Sequence, residues 1–185
     1  MLKIFYKLPN GESFAHVSRS CTSTLCVLSL ATFWPDQYRQ WQEYGGPPQQ
    51  YLEEHYADRL PSGCVCMIRN PLKRLVSYVN SRGHDWDEVR QILNAMRFGG
   101  VISRNVGEAY SLRRFHHLLP ITLIAEPDTQ FIKFAGVEKA CEVLGLTYDP
   151  TVHVAASGED YCGCDTPDDL KVLLTDDIQL WRSLT

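Results

Sequence analysis

The chain has 185 residues, 44% of them hydrophobic and 22% charged, with a formal net charge of −4. That length supports one domain with a real core, spanning residues 1–185, and is short for two. The acidic balance excludes a bulk binder of nucleic acid, so an anion site has to be a local basic pocket, and no stretch nears the roughly 20 apolar residues of a membrane span.

The first seven residues are too few and too polar for a signal peptide and read as a strand. Residues 2–7 and 13–17 flank a Pro9-Asn10-Gly11 turn signal, which predicts two strands. Residues 22–34 carry Leu25, Val27, Leu28, Leu30, Ala31 and Phe33. They are apolar almost all round, as in a helix buried against a sheet, with Pro35 as its stop. Residues 36–60 are polar and aromatic, broken by Gly45-Gly46-Pro47-Pro48 into two short helices. Residues 63–68 predict a buried strand. Asn70 is a good N-cap and Pro71 a favoured first helical residue. Leu72, Leu75, Val76 and Val79 then form a helical stripe.

Residues 85–97 and 104–118 read as helices separated by Gly99-Gly100. Residues 121–125 predict a further buried strand, residues 129–144 a helix closed by Gly145, and residues 167–184 a helix with an acidic outer face. Strands alternating with helices make an α/β protein with a mostly parallel central sheet. Seven cysteines include two pairs spaced C-x-C, Cys64/Cys66 and Cys162/Cys164, rather than the wider spacing usual at zinc sites. Cys64 and Cys66 alternate along a strand and read as small apolar fillers of one face. A reduced, cytoplasmic setting is expected.

Two segments carry chemistry. Ser18-Arg19-Ser20-Cys21-Thr22-Ser23-Thr24 follows the run 14–17, and Arg69-Asn70-Pro71-Leu72-Lys73-Arg74-Leu75-Val76-Ser77 follows the strand at 63–68. Each reads as strand, polar loop and helix start, which aims N–H groups and hydroxyls at an anion. In a parallel sheet both loops fall at the carboxyl edge, where ligands bind. The first loop has no G-x-x-x-x-G-K-[ST], so it lacks the magnesium-holding residue of an NTP site. It offers one cation and a set of hydroxyls instead. A Cys-x₅-Arg phosphatase loop is excluded, because the sixth residue after Cys21 is Val27 and after Cys64 is Asn70. In the second segment Asn70 and Ser77 are separated by about 10 Å of helix rise, within reach of a phosphate also met by a long arginine.

The run 69–78 resembles the 3′-phosphate-binding motif of the sulfotransferases, R-[DN]-P-x-x-R-x-x-S-x-Y, and is especially similar to the carbohydrate 2-O-sulfotransferase version. The loop 18–25 resembles that family's 5′-phosphosulfate loop, P-K-x-G-[ST]-[ST]-[ST]-L. Similar in order, though individually short, are Ile121 to Pro127 with Leu144-Gly145-Leu146, the stretch 152–157, and Asp177-Ile178-Gln179-Leu180-Trp181, which is similar to a terminal D-x-x-L-Y. The resemblance implies a three-layer, P-loop NTPase-like domain. The implied activity is metal-independent transfer of a sulfuryl group from 3′-phosphoadenosine-5′-phosphosulfate (PAPS) to a hydroxyl or amine, on a carbohydrate or small-molecule acceptor. It implies that Arg19, Ser20, Cys21, Thr22, Ser23 and Thr24 hold the 5′-phosphosulfate, with the Arg19 charge on the transferring group, and that Arg69 and Ser77 hold the 3′-phosphate. Arg19 stands where the family has lysine, Cys21 where it has glycine and Ser18 where it has proline.

The family's general base is a His or Glu between the two loops. That interval holds Glu43, Glu53, Glu54, His55 and Asp58; His55 is the first choice, since its unperturbed pKa suits a base at neutral pH, followed by Glu54 or Glu53. His84, His116 and His117 read as surface or packing residues. A non-catalytic nucleotide-binding module of the same fold, a nucleotide kinase, and a homo-oligomer whose second subunit completes the acceptor site stay open as alternatives.

Overall fold

A computed structural model describes residues 2–17, 22–57, 59–83, 85–98, 118, 120–152 and 166–184. Five strands form one sheet: β1 (Leu2–Lys7), β2 (Ser13–Ala15), β3 (Glu54–Ala57), β4 (Val65–Ile68) and β5 (Gln130–Lys133), in the order β3-β1-β2-β4-β5. The β2–β4 and β4–β5 pairings are parallel; β1 is antiparallel to both β2 and β3. The sheet is therefore mixed, with its parallel part confined to β2, β4 and β5. Among the described residues the α-helices are α1 (Thr22–Phe33), α2 (Pro35–Tyr44), α3 (Pro71–Arg82), α4 (Trp86–Phe98), α5 (Val137–Leu144), α6 (Asp168–Leu173) and α7 (Thr175–Ser183).

Alternation along the strands sorts the core into two layers. Phe14, Val65, Met67 and Ile132 pack with Leu25, Leu28 and Leu30 of α1 and Ala140, Cys141 and Leu144 of α5. Ala15, Cys64, Cys66 and Ile68 face the other way, onto Leu75 and Val79 of α3, Ile92 and Leu93 of α4, and Leu170 and Leu173 of α6. Cys64 and Cys66 are the fillers expected of them. Burial pushes the Cys64 thiol up to about 12, against a small opposing hydrogen bond from Ser13, and burial likewise raises Cys66 well above the ordinary thiol range. Cys162 and Cys164 lie outside the described residues, as does the helix expected over 104–118 apart from Leu118.

Four local expectations change. The edge strand β3 arises where a polar, helical connection was expected. Its charged and polar residues look unlike a core strand, but an edge strand has one open side and tolerates them. Residues 121–125 are not a strand; Ile121–Leu123 form a 3₁₀ turn, because the Asp177 carboxylate captures the N–H groups of Ile121 and Thr122. The β5 slot goes instead to Gln130–Lys133, the front of the segment expected to be helix. Gly136 separates that strand from α5, and a Cβ there would lie 2.9 Å from Ile132 Cγ2, so only glycine permits the close approach. Finally, the C-terminal helix is two helices meeting at Leu174, and one of its acids, Asp177, is buried rather than outward. Gly145 closes α5 as expected, at φ 65° with its N–H on the carbonyls of Cys141 and Glu142.

Candidate functional site

Parallel pairing of β2 with β4, in register at Phe14 and Val65, sends both chains off the same sheet edge. Helix α1 starts at Thr22 beyond β2, and α3 starts at Pro71 beyond β4. The two polar loops thus leave from neighbouring strands, and the described part of the candidate site is this edge. Ser18, Arg19, Ser20 and Cys21 lie outside the described residues.

At the start of α1 the described hydroxyls are largely committed within the protein. Thr22 Oγ1 donates to the Val17 carbonyl at 2.7 Å, which spends its hydrogen on the base of the first loop. Ser23 Oγ accepts from Gln49 Nε2 at 2.6 Å and keeps its own hydrogen for a further acceptor. Gln49 belongs to a 3₁₀ turn, Pro48–Tyr51, so the segment 36–60 does reach the first loop's helix. Thr24 is buried.

The start of α3 is built differently. Asn70 Oδ1 accepts from the N–H groups of Leu72 and Lys73 at 3.0 and 3.3 Å, the N-cap that the sequence predicts, with Pro71 at the first helical position. Leu72, Leu75, Val76 and Val79 turn inward or partly inward. Arg69 is half-buried and makes no ion pair among the described residues; its guanidinium lies 5.6 Å from the ring centroid of Phe134. Phe134 follows β5, donates its N–H to the Ile68 carbonyl at 2.8 Å and leaves 42% of its surface exposed. Two turns into α3, Ser77 is 1% exposed, and its Oγ is buried without a hydrogen-bond partner among the described residues. A buried hydroxyl in a helix has a ready partner in the carbonyl four residues back, and Ser29 and Thr32 in α1 both take it, at 2.7 and 2.8 Å. Ser77 does not, which leaves one buried donor in the middle of α3 unspent among the described residues.

Arg74 is 6% exposed and turned into the core, with Nη2 3.6 Å from Asp177 Oδ2. The two base candidates sit on β3, with β1 between that strand and β2. His55 pairs with Phe5 and stacks on its ring, centroids 5.3 Å apart and planes 16° from parallel. Glu54 accepts from the Tyr56 hydroxyl at 2.9 Å. Two strand spacings amount to about 10 Å of lateral separation from β2. A histidine nearer the first loop is His16, immediately after β2, whose Nδ1 is 2.9 Å from the Tyr6 hydroxyl. Burial, and then the neighbouring Cys26, Glu54 and Tyr56, raise the Tyr6 phenol far above its usual range, so Tyr6 stays a neutral partner. His16 was legible as the residue two places before the first loop. Phe134 had no local signal, and the motif around Asp177 did not reveal its partners, because each matters through a contact more than fifty residues away.

Among the described residues no group of three His, Cys, Asp or Glu is placed to hold a metal ion, and no helix is long and apolar enough to cross a membrane. No protein-family model, no curated protein and no solved structure matches the chain.

Proposed function

We propose that this chain is a metal-independent sulfotransferase with a P-loop-like fold, which moves the sulfuryl group of PAPS to a hydroxyl or amine, with a carbohydrate as the acceptor class to test first. The observation that carries this reading is the second loop. Arg69, just before the cap of α3, has no ion-pair partner among the described residues, and two turns into the same helix the buried Ser77 hydroxyl has no hydrogen-bond partner among them. A 3′-phosphate supplies what both lack, and the exposed face of Phe134 beside Arg69 offers a stacking surface for a base.

At the neighbouring strand end Ser23 has a hydrogen to donate to the 5′-phosphosulfate, and the sequence supplies Arg19 for its charge. The donor supplies an activated sulfur: in-line attack by the acceptor breaks the bond from sulfur to the bridging phosphate oxygen, and that electron pair leaves with 3′-phosphoadenosine 5′-phosphate. The protein's part is to align the two groups and stabilise charge. The acceptor proton passes to a base, for which His16 at the end of β2 stands beside the sequence-based choices His55 and Glu54.

Calorimetric titration with 3′-phosphoadenosine 5′-phosphate in the presence of a chelator tests the reading. Binding without magnesium is expected, with a loss of about 30-fold or more in Arg69→Ala, the ~2 kcal/mol of a charge-assisted contact. Full affinity in that variant would overturn it, and a strict magnesium requirement would point to a kinase. Transfer of labelled sulfate to sugars, phenols and amines separates an enzyme from a module that only binds.

A further inference from the structure

Asp177 and Trp181 are four residues apart on α7 and therefore share one face of it. Asp177 is 2% exposed. Its Oδ2 accepts the Ile121 N–H at 3.0 Å, and its Oδ1 accepts the Thr122 N–H at 3.0 Å and the Thr122 hydroxyl at 2.6 Å. The same Oδ2 lies 3.6 Å from Arg74 Nη2, and both side chains are almost wholly buried. Arg74 is three residues before Ser77, on the same side of α3. One turn further along α7, the Trp181 ring lies under the Lys133 ammonium, 5.5 Å from centroid to nitrogen. Lys133 ends β5, and the next residue is Phe134, over which Arg69 rests. Helix α7 therefore holds the helix that carries Ser77 and the strand end that supports Arg69. Two residues of one helical turn straddle the second loop.

We propose that α7 is a clamp that sets the position of Ser77 relative to Arg69, with Asp177 and Trp181 as positioning residues for a nucleotide 3′-phosphate. The inference rests on reading Arg69 and Ser77 as that phosphate's grip. It gives the i, i+4 spacing of Asp177 and Trp181 a mechanical meaning. Rotating α3 about its axis would carry Ser77 away from the loop, and the buried Arg74–Asp177 pair opposes that rotation. Sliding the end of β5 would move Phe134 from under Arg69, and the Trp181–Lys133 contact opposes the slide. The grip needs both, because two donors from different elements bind one phosphate well only when their separation is held.

The test compares 3′-phosphoadenosine 5′-phosphate with adenosine 5′-monophosphate, which lacks the 3′-phosphate, by calorimetry on the full chain. Two variants are used: the double replacement Arg74→Met with Asp177→Asn, and Trp181→Leu. Asp177→Asn alone takes a carboxylate away from the buried Arg74 charge and endangers folding, whereas removing both charges together is tolerated in protein interiors. The preference for the 3′-phosphorylated nucleotide is expected to fall about tenfold in each variant, with affinity for the monophosphate kept within about twofold. A residue that only supports the fold would weaken both nucleotides alike, and that result would overturn the clamp.

Hydrogen exchange without nucleotide reads the clamp directly. The amides of Ile121, Thr122 and the first two turns of α3 are expected to exchange faster in the double variant, and unchanged exchange there would overturn it. A wild-type chain that shows no preference between the nucleotides, while exchange does speed up, would overturn the reading of Arg69 and Ser77 and with it the role given to α7. An intact preference in wild type and variants alike would leave that reading standing and overturn the clamp alone.

Discussion

The two helix starts at the carboxyl edge of the sheet look alike in sequence and differ in how their polar groups are satisfied. At the start of α1, Thr22 closes back on Val17, and Ser23 is joined to Gln49, a residue from a distant turn. Further along α1, Ser29 and Thr32 bond to the helix's own carbonyls. At the start of α3 the backbone is capped by Asn70, yet Arg69 has no carboxylate among the described residues and Ser77 has no partner for its hydroxyl. An unspent buried donor costs about 1–3 kcal/mol. A helix that carries this cost beside a cation with no ion-pair partner among the described residues is therefore the better place to look for an anionic ligand. Hydroxyl count alone, which favours the first loop, is the poorer guide.

The sharpest way to break this comparison is Arg69→Ala against Thr22→Val. The first is expected to weaken 3′-phosphoadenosine 5′-phosphate by about 30-fold or more, while the second mainly lowers stability by about 1 kcal/mol. Equal losses of affinity would erase the distinction between the loops. Next in size, Ser77→Ala and Ser29→Ala should shift the melting temperature of the ligand-free protein in opposite directions. Removing the partnerless Ser77 hydroxyl is expected to raise stability by up to about 1 kcal/mol, a rise of a few degrees, while reducing nucleotide affinity. Removing the Ser29 hydroxyl gives up a made bond and should cost about 0.5–1 kcal/mol. A drop for Ser77→Ala would mean the hydroxyl is satisfied in solution.

Asn70→Ala removes the cap bonds to Leu72 and Lys73 and should cost about 1 kcal/mol, measured by denaturant unfolding. His55→Gln is expected to lower stability by about 0.5–1 kcal/mol through loss of the Phe5 stack, with nucleotide affinity unchanged. A hundredfold fall in transfer rate at unaltered stability would instead make His55 the base. A further expectation concerns pH. Burial lifts the Cys64 thiol from an ordinary 9.0 to about 12. The unfolded chain therefore loses that proton first as pH rises. The thiol's contribution to stability is complete below about pH 9 and is lost between there and pH 12, which titrated unfolding measures. Below pH 9 native Cys64 should also resist thiol reagents.

Much of the local structure was legible, and particular residues show why. Asn70 and Pro71 announce the start of α3 because capping is a contact with the next three residues. Gly145 announces the end of α5 because it alone meets a left-handed φ without a Cβ clash. The alternation of Cys64 and Cys66 predicted one buried face because a strand's side-chain period is two. The misread segments all turn on distant partners. Ile121-Thr122-Leu123 has strand composition, but its N–H groups go to Asp177, so it turns. Glu54–Ala57 has no strand composition, yet β1 offers it an open edge. In the candidate site, the Asn70 cap and the Arg69-to-Ser77 spacing were legible. The inward turn of Arg74, the support from Phe134 and the placing of His55 behind β1 were not.

The sequence by itself determined the two polar turns before helices, their order along the chain, and the α/β alternation that brings them to a single sheet edge. These depend on bonds within one turn or on a period of two or 3.6 residues, which short stretches of chain encode. Only the tertiary structure decided how the described polar groups at the two helix starts are satisfied. Satisfaction is a property of pairs: Ser23 is answered by Gln49 and Arg74 by Asp177, over separations of 26 and 103 residues. Among the described residues Arg69 has no carboxylate and the Ser77 hydroxyl no partner, which shows only once the contacts around α3 are traced in space.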